Sequence, residues 1–302
     1  MNSGLKWTLI GCGAGCLLPL LLLAILLAVV AMAVPEHKQV AVVNVFGAIA
    51  AASGEGGLLG GGQSAESIIE QLRRATEDEQ VAAIVLRINS PGGSAAASQE
   101  IYEQVVRSAR SKPVYASLAD VAASGGYYIA AGADQIYANP ASITGSIGVI
   151  FMQADLSGLL GRLGVKTAVI KSGKFKDMGS FARSLSPEER ALVQGLINDT
   201  YEQFLEAVAK GRKLPVARVR QLADGRIYSG RQALKVKLVD KIGGLQDTVE
   251  AVAREAGIKG EPEVTVYGGR TLFERLFSLE SRSLVDRMYL MYYDLMGPRP
   301  VQ

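Results

Sequence analysis

The chain has 302 residues, of which 49% are hydrophobic and 20% are charged. That composition supplies enough apolar side chains for one large or two small cores and predicts an ordered globular protein. The 32 basic and 29 acidic side chains nearly cancel, and no basic block alternates with aromatic residues. The chain therefore lacks the charge pattern of a protein that binds nucleic acid.

The N-terminal part of the chain is strongly apolar. Residues 7–35 carry no charge, and residues 16–34 are almost all Leu, Ile, Val and Ala, which is long enough for a helix that crosses a bilayer. The positive-inside rule then predicts a cytoplasmic N-terminus at residues 1–6, a single-pass anchor in the cell (plasma or inner) membrane at residues 7–35, and an extracytoplasmic remainder. A cleavable signal peptide is the alternative, because residues 31–33 read Ala-Met-Ala.

Cysteine and histidine are scarce. The two cysteines, Cys12 and Cys16, lie in the apolar segment, so the exported part has no thiol for a disulfide, a nucleophile or a metal site. The one histidine, His37, directly follows that segment. The body of the chain therefore has no Ser-His-Asp triad and no His-rich metal site, and a hydrolase built on it needs Lys, Asp, Glu or Tyr as its base.

From residue 39 onward, short apolar runs typical of strands alternate with segments of helical periodicity. Predicted strands occupy residues 42–48, 81–88, 114–118, 135–138, 146–151 and 167–170. Predicted helices begin near Ser64, follow the turn at residues 89–93 and lie near residues 156–163. This alternation predicts an α/β fold, with one module over residues 39–268.

Two helices are predicted in the C-terminal half. Residues 186–189, Ser-Pro-Glu-Glu, combine an N-cap, a first-turn proline and a capping-box glutamate, and so predict the start of a long helix. Its inward residues are expected to be Leu192, Leu196, Phe204 and Val208. Residues 269–302 form a C-terminal extension, in which the amphipathic residues 271–296 predict a helix packed on the body or on a neighbouring subunit rather than on a membrane surface.

The candidate nucleophile is Ser124, within the small-residue run Ala-Ala-Ser-Gly-Gly at residues 122–126. Between a strand and a helix, such a run lets the backbone approach a substrate closely, and the amide of Gly125 would point toward an oxyanion formed there. The Pro-Gly-Gly turn nearby offers the amide of Gly93 as a second donor. An ordinary N-cap serine and a plain strand-to-helix turn are the alternatives, and spacing alone does not choose between them.

Five motifs, taken together, resemble the signal peptide peptidase A (SppA) family. They are Ser90-Pro91-Gly92-Gly93, Ala123-Ser124-Gly125-Gly126-Tyr127-Tyr128, Thr144-Gly145-Ser146-Ile147-Gly148-Val149, Lys171-Ser172-Gly173-Lys174-Phe175-Lys176-Asp177 and Ala223-Asp224-Gly225-Arg226. The resemblance implies a Clp protease/crotonase-like fold with an N-terminal transmembrane helix. It also implies a membrane-anchored serine endopeptidase that degrades remnant signal peptides with a Ser-Lys dyad.

The resemblance assigns roles to five residues. Ser124 becomes the nucleophile, Lys176 the general base, and Ser146 the hydrogen-bond partner of the lysine amine. Gly93 and Gly125 occupy the oxyanion positions. The residues alone leave the base open, because two further lysines lie within five positions of Lys176, and it is the resemblance that selects it.

The chemistry and the assembly follow from this dyad. A free lysine with a pKa near 10.4 is only about 0.1% neutral near pH 7.4, so a lysine base needs burial that favours the neutral amine. No metal or cofactor is required. Some members of the family carry two tandem modules with the serine and the lysine in different halves, whereas this chain is one module. The resemblance therefore implies a homo-oligomeric ring in which Ser124 meets Lys176 of a neighbour.

Two other functions remain open at this point. A crotonase-like enzyme acting on acyl thioesters would keep the oxyanion amides and use Ser124 only as a helix cap. A membrane scaffold would assemble through residues 271–296 and carry a degenerate site. Retention of all five motifs favours the peptidase.

Overall fold

The computed structural model describes residues 38–50 and 64–267. The strands in this part are β1 Gln39–Phe46, β2 Val81–Ser90, β3 Val114–Ala123, β4 Gln135–Ala138, β5 Ile143–Gly145, β6 Ile227–Ser229, β7 Lys241–Ile242 and β8 Glu263–Tyr267. The helices are α1 Ala65–Glu77, α2 Ala95–Ser108, α3 Gly125–Ala130, α4 Ser157–Arg162, α5 Pro187–Arg212, α6 Val216–Leu222, α7 Gly230–Lys235 and α8 Leu245–Glu255. Strands and helices alternate through most of this order, as the sequence predicts.

The eight strands form one sheet with the order β6-β5-β3-β2-β1-β8, and β4 and β7 continue it beside β3. Every pair is parallel except β5 with β6. Parallel neighbours need crossover connections, and the helices between the strands provide them. The predicted α/β class is confirmed.

Strand β3 is the strand that positions the site. Its first half pairs with β4, and its last three residues pair with β5 in the register Val121 with Ile143 and Ala123 with Gly145. The carboxyl ends of β2, β3 and β5 therefore meet at one edge of the sheet. Ligands of open α/β sheets bind at this edge, outside the carboxyl ends of the strands.

The core has two layers because side chains alternate across each strand. On one face, β1, β2 and β3 pack against α1, α2 and the second half of α5, with Leu72, Ile101 and Leu205 fully buried. On the other face, the smaller layer includes Val85 of β2 and Val252 of α8. The larger layer carries the helix that starts at the predicted nucleophile.

Two predicted strands are wrong. Residues 146–151 form no strand, since β5 ends at Gly145, and residues 167–170 also lie outside any strand. Their apolar side chains led to the prediction, yet Ile150 is largely exposed and Ile170 is fully exposed. Hydrophobicity indicates burial, and Ile147 is indeed fully buried, but within residues 38–50 and 64–267 nothing covers Ile150 and Ile170. The helix predicted near residues 156–163 is confirmed as α4.

The long helix α5 begins as predicted and packs only in part. Ser186 and Glu189 form the capping box. Phe204 and Val208 are buried, whereas Leu192 and Leu196 are about half and two-thirds exposed, so the prediction that these two face inward is wrong. The predicted helical periodicity is correct, but few of the described residues pack against the first half of the helix.

Within residues 38–50 and 64–267, no helix combines the length and apolar character that a bilayer span requires. The anchor predicted at residues 7–35 and the extension predicted at residues 269–302 both lie outside the described residues, as does His37.

Two glycines of α5 provide a matched test of this packing. A Cβ at Gly211 would lie 1.8 Å from the carbonyl oxygen of Ala131, whereas a Cβ at Gly195 meets nothing within 4 Å. We expect Gly211→Ala to lower the free energy of unfolding by about 1–3 kcal/mol because the helices must separate. Gly195→Ala should raise it by about 0.5–1 kcal/mol through helix propensity. Urea unfolding of the purified protein measures both, and equal effects would contradict the packing described.

Candidate active site

The backbone of Ser124 has an unusual conformation at the end of β3. Its φ of 51° and ψ of −119° match the first central position of a type II′ turn, which glycine normally occupies. A non-glycine residue there costs about 1–3 kcal/mol. The N–H of Ser124 donates to the carbonyl of Gly145 at 2.9 Å, and its carbonyl accepts from the N–H of Tyr128 at 2.9 Å. These bonds hold the strained residue between the sheet and α3.

The hydroxyl of Ser124 does not cap the helix. Although Ser124 is the N-cap of α3, its side chain makes no capping hydrogen bond, unlike Ser64, Ser94 and Ser186 at other helix starts. Within the described part of the chain, its Oγ has no hydrogen-bond partner at all. The N-cap alternative therefore does not hold, and the hydroxyl is free to react.

The Pro-Gly-Gly turn packs directly against Ser124. Gly92 has a φ of 100°, and a Cβ there would lie 2.6 Å from the nitrogen of Gly125 and 2.9 Å from the Cβ of Ser124. The hydroxyl of Ser90 fixes this turn by donating to the carbonyl of Gly47 at 2.6 Å and accepting from the N–H of Gly92 at 3.1 Å. Sequence reasoning missed the role of Gly92, although glycine after proline is the signal of a type II turn.

Gly125 also touches α2. A Cβ at this position would lie 2.3 Å from the Oγ of Ser98, which is fully buried and donates to the carbonyl of Ser94 at 2.8 Å. Only a glycine lets the start of α3 approach α2 this closely. Sequence reasoning did not identify Ser98, because a buried serine in a helix has no signal that sets it apart from an exposed one.

The two predicted oxyanion amides are unpaired. Among the hydrogen bonds of the described residues, none uses the N–H of Gly93 or of Gly125. Both residues line the same cavity as Ser124. Free backbone N–H groups beside a serine hydroxyl are the donors that stabilise a tetrahedral oxyanion.

Ser146 lines the same cavity, and its backbone is held by the Ala-Asp-Gly-Arg motif at residues 223–226. Its φ is 50°, and its N–H donates to the carbonyl of Arg226 at 2.9 Å. The N–H of Gly225 donates to the carbonyl of Ile147 at 3.2 Å, so the Ala-Asp-Gly-Arg motif supports the Thr-Gly-Ser motif. The hydroxyl of Tyr201 in α5 donates to the carbonyl of Ala223 at 2.8 Å and fixes this support to the body.

The cavity around Ser124 has a volume of about 700 Å³. Its lining combines small residues with apolar and aromatic side chains, among them Val149, Ile197 and Phe204. The one charged residue in the lining is Asp224, and its carboxylate pairs with the guanidinium of Arg226, which lowers the pKa of Asp224 to about 2. The walls therefore suit a neutral apolar side chain.

One wall of the cavity is an aromatic cluster. Tyr128 packs edge-on against Tyr102 with ring centroids 5.3 Å apart and lies 4.6 Å from the ring of Phe204. Burial raises the pKa of Tyr128 to about 12, so its hydroxyl stays protonated at neutral pH. The cluster acts as a rigid apolar surface and not as a source of charge.

Lys176 does not line this cavity. It lies in the turn segment 172–179, where its N–H donates to the carbonyl of Gly173 at 3.2 Å, and its side chain is exposed. The neighbouring lysine amines are occupied: Lys171 pairs with Asp177 at 2.6 Å, and Lys174 pairs with Glu188. Within the described part of the chain, the amine of Lys176 has no hydrogen bond or ion pair. The chain thus brings Ser124, Ser146 and the two glycines together and leaves the lysine apart.

Comparison with known proteins identifies the family. The model of peptidase family S49 matches residues 107–259, half of the chain, and the Clp protease model matches residues 61–144. The chain belongs to peptidase family S49, the SppA family. The family match, together with relatives that are named as proteases, supports the prediction that this chain is a serine peptidase. The resemblance of the five motifs to the SppA family is confirmed.

Relatives in this family cover most of the chain. A predicted protease of Synechocystis sp. is 42% identical over 222 residues, which cover 74% of this chain and 76% of that protein. The chloroplastic serine protease SPPA of Arabidopsis thaliana is 35% identical over 231 residues, 76% of this chain and 34% of that protein. The chain therefore spans three quarters of one relative and a third of the other.

Solved structures share the fold. A mutant of the 1510-N membrane-bound stomatin-specific protease has a TM-score of 0.51 at 15% identity, covering 77% of this chain and 99% of that one. A second mutant of the same protease, in complex with a substrate peptide, has a TM-score of 0.50 at 17% identity and covers 80% and 97%. The Clp protease-like fold predicted from the motifs is thus confirmed.

The strain at Ser124 can be measured. We expect Ser124→Gly to be more stable to urea than Ser124→Ala by about 1 kcal/mol, because glycine adopts a φ of 51° without strain and alanine does not. Both variants lack the hydroxyl, so the comparison isolates the backbone. Equal stabilities would show that Ser124 is not strained.

Proposed function

We propose that this serine peptidase is a membrane-anchored endopeptidase with a Ser-Lys dyad, in which Ser124 is the nucleophile and Lys176 the general base. The observation that carries the proposal is the free hydroxyl of Ser124 beside two unpaired amides, those of Gly93 and Gly125. The end of β3 thereby provides the nucleophile and one oxyanion donor, and the Pro-Gly-Gly turn provides the other donor.

The proposed reaction is a proton relay through the lysine. The neutral amine of Lys176 takes the proton of Ser124 as the oxygen attacks the peptide carbonyl, and it returns that proton to the leaving amine. The amides of Gly93 and Gly125 stabilise the oxyanion. Ser146 holds the amine by a hydrogen bond. Water then attacks the ester carbonyl of acylated Ser124. Lys176 takes a proton from that water and passes it to the serine oxygen as the ester bond breaks, which releases the acyl group as a carboxylic acid.

We further propose that the base comes from a neighbouring copy of the chain, in a homo-oligomeric ring. The lysine is absent from the cavity of its own chain, and its amine has no partner among the described residues. The surrounding segment exposes apolar side chains, among them Ile150, Met152 and Ile170. Exposed apolar side chains grouped in one segment are typical of a protein–protein interface. Contact with a second chain would also bury the lysine, which favours its neutral form.

The proposed substrates are remnant signal peptides. Apolar and aromatic side chains line the cavity together with small polar residues, and the one carboxylate among the described lining residues is paired, which supports a preference for the apolar side chains that such peptides carry. The proposed location agrees with this substrate: an anchor at residues 7–35 in the cell membrane places the catalytic domain on the extracytoplasmic side. The free hydroxyl of Ser124 disfavours an acyl-thioester enzyme that uses this serine as a cap.

The base assignment is tested with a lysine two residues away. Ser124→Ala and Lys176→Ala should each lower kcat/KM for a signal-peptide substrate by at least about 1,000-fold, because both act in one proton transfer. The double variant should be no worse than either single one. Lys174→Ala should retain most activity, because its exposed pair with Glu188 contributes little.

Labelling of Ser124 by a phosphonate provides a second measurement on the same variants. Wild type and Lys174→Ala should react, whereas Lys176→Ala should not. An inactive Lys174→Ala together with an active Lys176→Ala would show that the base is Lys174.

A further inference from the structure

The guanidinium of Arg183 lies between two carboxylates and binds both in bidentate fashion. It donates to Asp177 at 2.9 and 2.8 Å and to Glu189 at 2.8 and 2.6 Å. The planar fork of an arginine can make two such pairs at once, which a lysine ammonium cannot. One side chain therefore joins two segments of the chain.

The two carboxylates belong to the turn of the candidate base and to the start of α5. Asp177 directly follows Lys176 in the chain. Glu189 is in the first turn of α5, where it also accepts the N–H of Ser186 at 2.8 Å as part of the capping box. Arg183 thus connects the turn of Lys176 to the capped first turn of α5.

Burial distinguishes this cluster from ordinary surface ion pairs. The exposed fractions are 4% for the Glu189 side chain, 12% for Asp177 and 35% for Arg183. Arg183 lowers the pKa of Glu189 to about 2 and holds the pKa of Asp177 well below its usual range, so both carboxylates stay ionised at neutral pH. A charged network held this way has little freedom to rearrange.

The other ion pairs of the turn are weaker or lie within the segment itself, and the side-chain amide of Gln153 donates to the carbonyls of Ser180 and Arg183 just after the turn. The pair of Lys174 with Glu188 also reaches α5, but its side chains are more than half exposed, and such pairs contribute little. Lys171 binds Asp177 from within the same segment. Backbone bonds such as that from Lys176 to Gly173 shape the turn without joining it to the body.

We propose that Arg183 is a positioning residue for catalysis: by joining Asp177 to Glu189 it fixes the turn that presents Lys176. This role rests on the proposed function of Lys176 as the base. A base displaced by about 1 Å costs about 100-fold in rate, whereas the substrate cavity, which the turn does not line, is unaffected.

The test compares Arg183→Gln with Arg190→Gln in the full-length assembled protein. Arg190 follows Glu189 in α5 and is exposed, and its side chain has no ion pair among the described residues. We expect Arg183→Gln to lower kcat about 10- to 100-fold with KM and elution volume close to wild type, and to lower the melting temperature because the buried carboxylate of Glu189 loses its partner. Arg190→Gln should match wild type in all four.

A double-variant cycle with Asp177→Asn tests the connection itself. Asp177→Asn should lower kcat in the same way, and the double variant with Arg183→Gln should be no slower than the worse single one, because the two residues act through one contact. Three results would each overturn this role of Arg183. They are an unchanged kcat in folded Arg183→Gln, a KM that rises by the same factor as kcat falls, and a fall in kcat that occurs only when the ring dissociates. Lys176→Ala is run alongside: if it stays active, the proposed base is wrong, whereas inactive Lys176→Ala with fully active Arg183→Gln refutes only the role of Arg183.

Discussion

The structure depends on the strained backbone of Ser124. The end of β3 is fixed on one side by its parallel pairing with β5 and on the other by the turn at Gly92, and the residue between must take a φ of 51°. In this conformation the hydroxyl makes no capping hydrogen bond with the helix that follows, although the serine is at the N-cap position. The cost in stability is about 1–3 kcal/mol, which a large buried core can carry.

The same constraint explains why so many small residues surround the site. The turn after β2 reaches Ser124, and the side chain of Ser98 in α2 reaches Gly125, so Gly92 and Gly125 have no room for a side chain. The amides of Gly93 and Gly125 then lie at the cavity wall without a hydrogen-bond partner among the described residues.

Sequence patterns predicted the α/β order and the start of α5 and pointed to Ser124, Gly93 and Gly125 as site residues, because each depends on local rules of periodicity, capping and turns. Ser146 came from the family resemblance. The patterns failed where an apolar side chain lacks a partner in its own chain: residues 167–170 were taken for a buried strand, and Leu192 and Leu196 for core positions. The contact of Gly125 with Ser98 was also missed, since it joins elements far apart in sequence. The choice of Lys176 came from family resemblance, and it stays a prediction.

We propose one arrangement for the exposed apolar residues and for Lys176: a second copy of the chain covers those residues and receives Lys176 at its own Ser124. Co-expression of Ser124→Ala with Lys176→Ala, followed by an assay of the mixed rings, tests this most directly. If serine and lysine come from different subunits, random one-to-one mixing should restore about a quarter of the sites, because a quarter of the interfaces pair two intact residues. No recovery in rings shown to contain both variants would mean that each chain builds its own dyad.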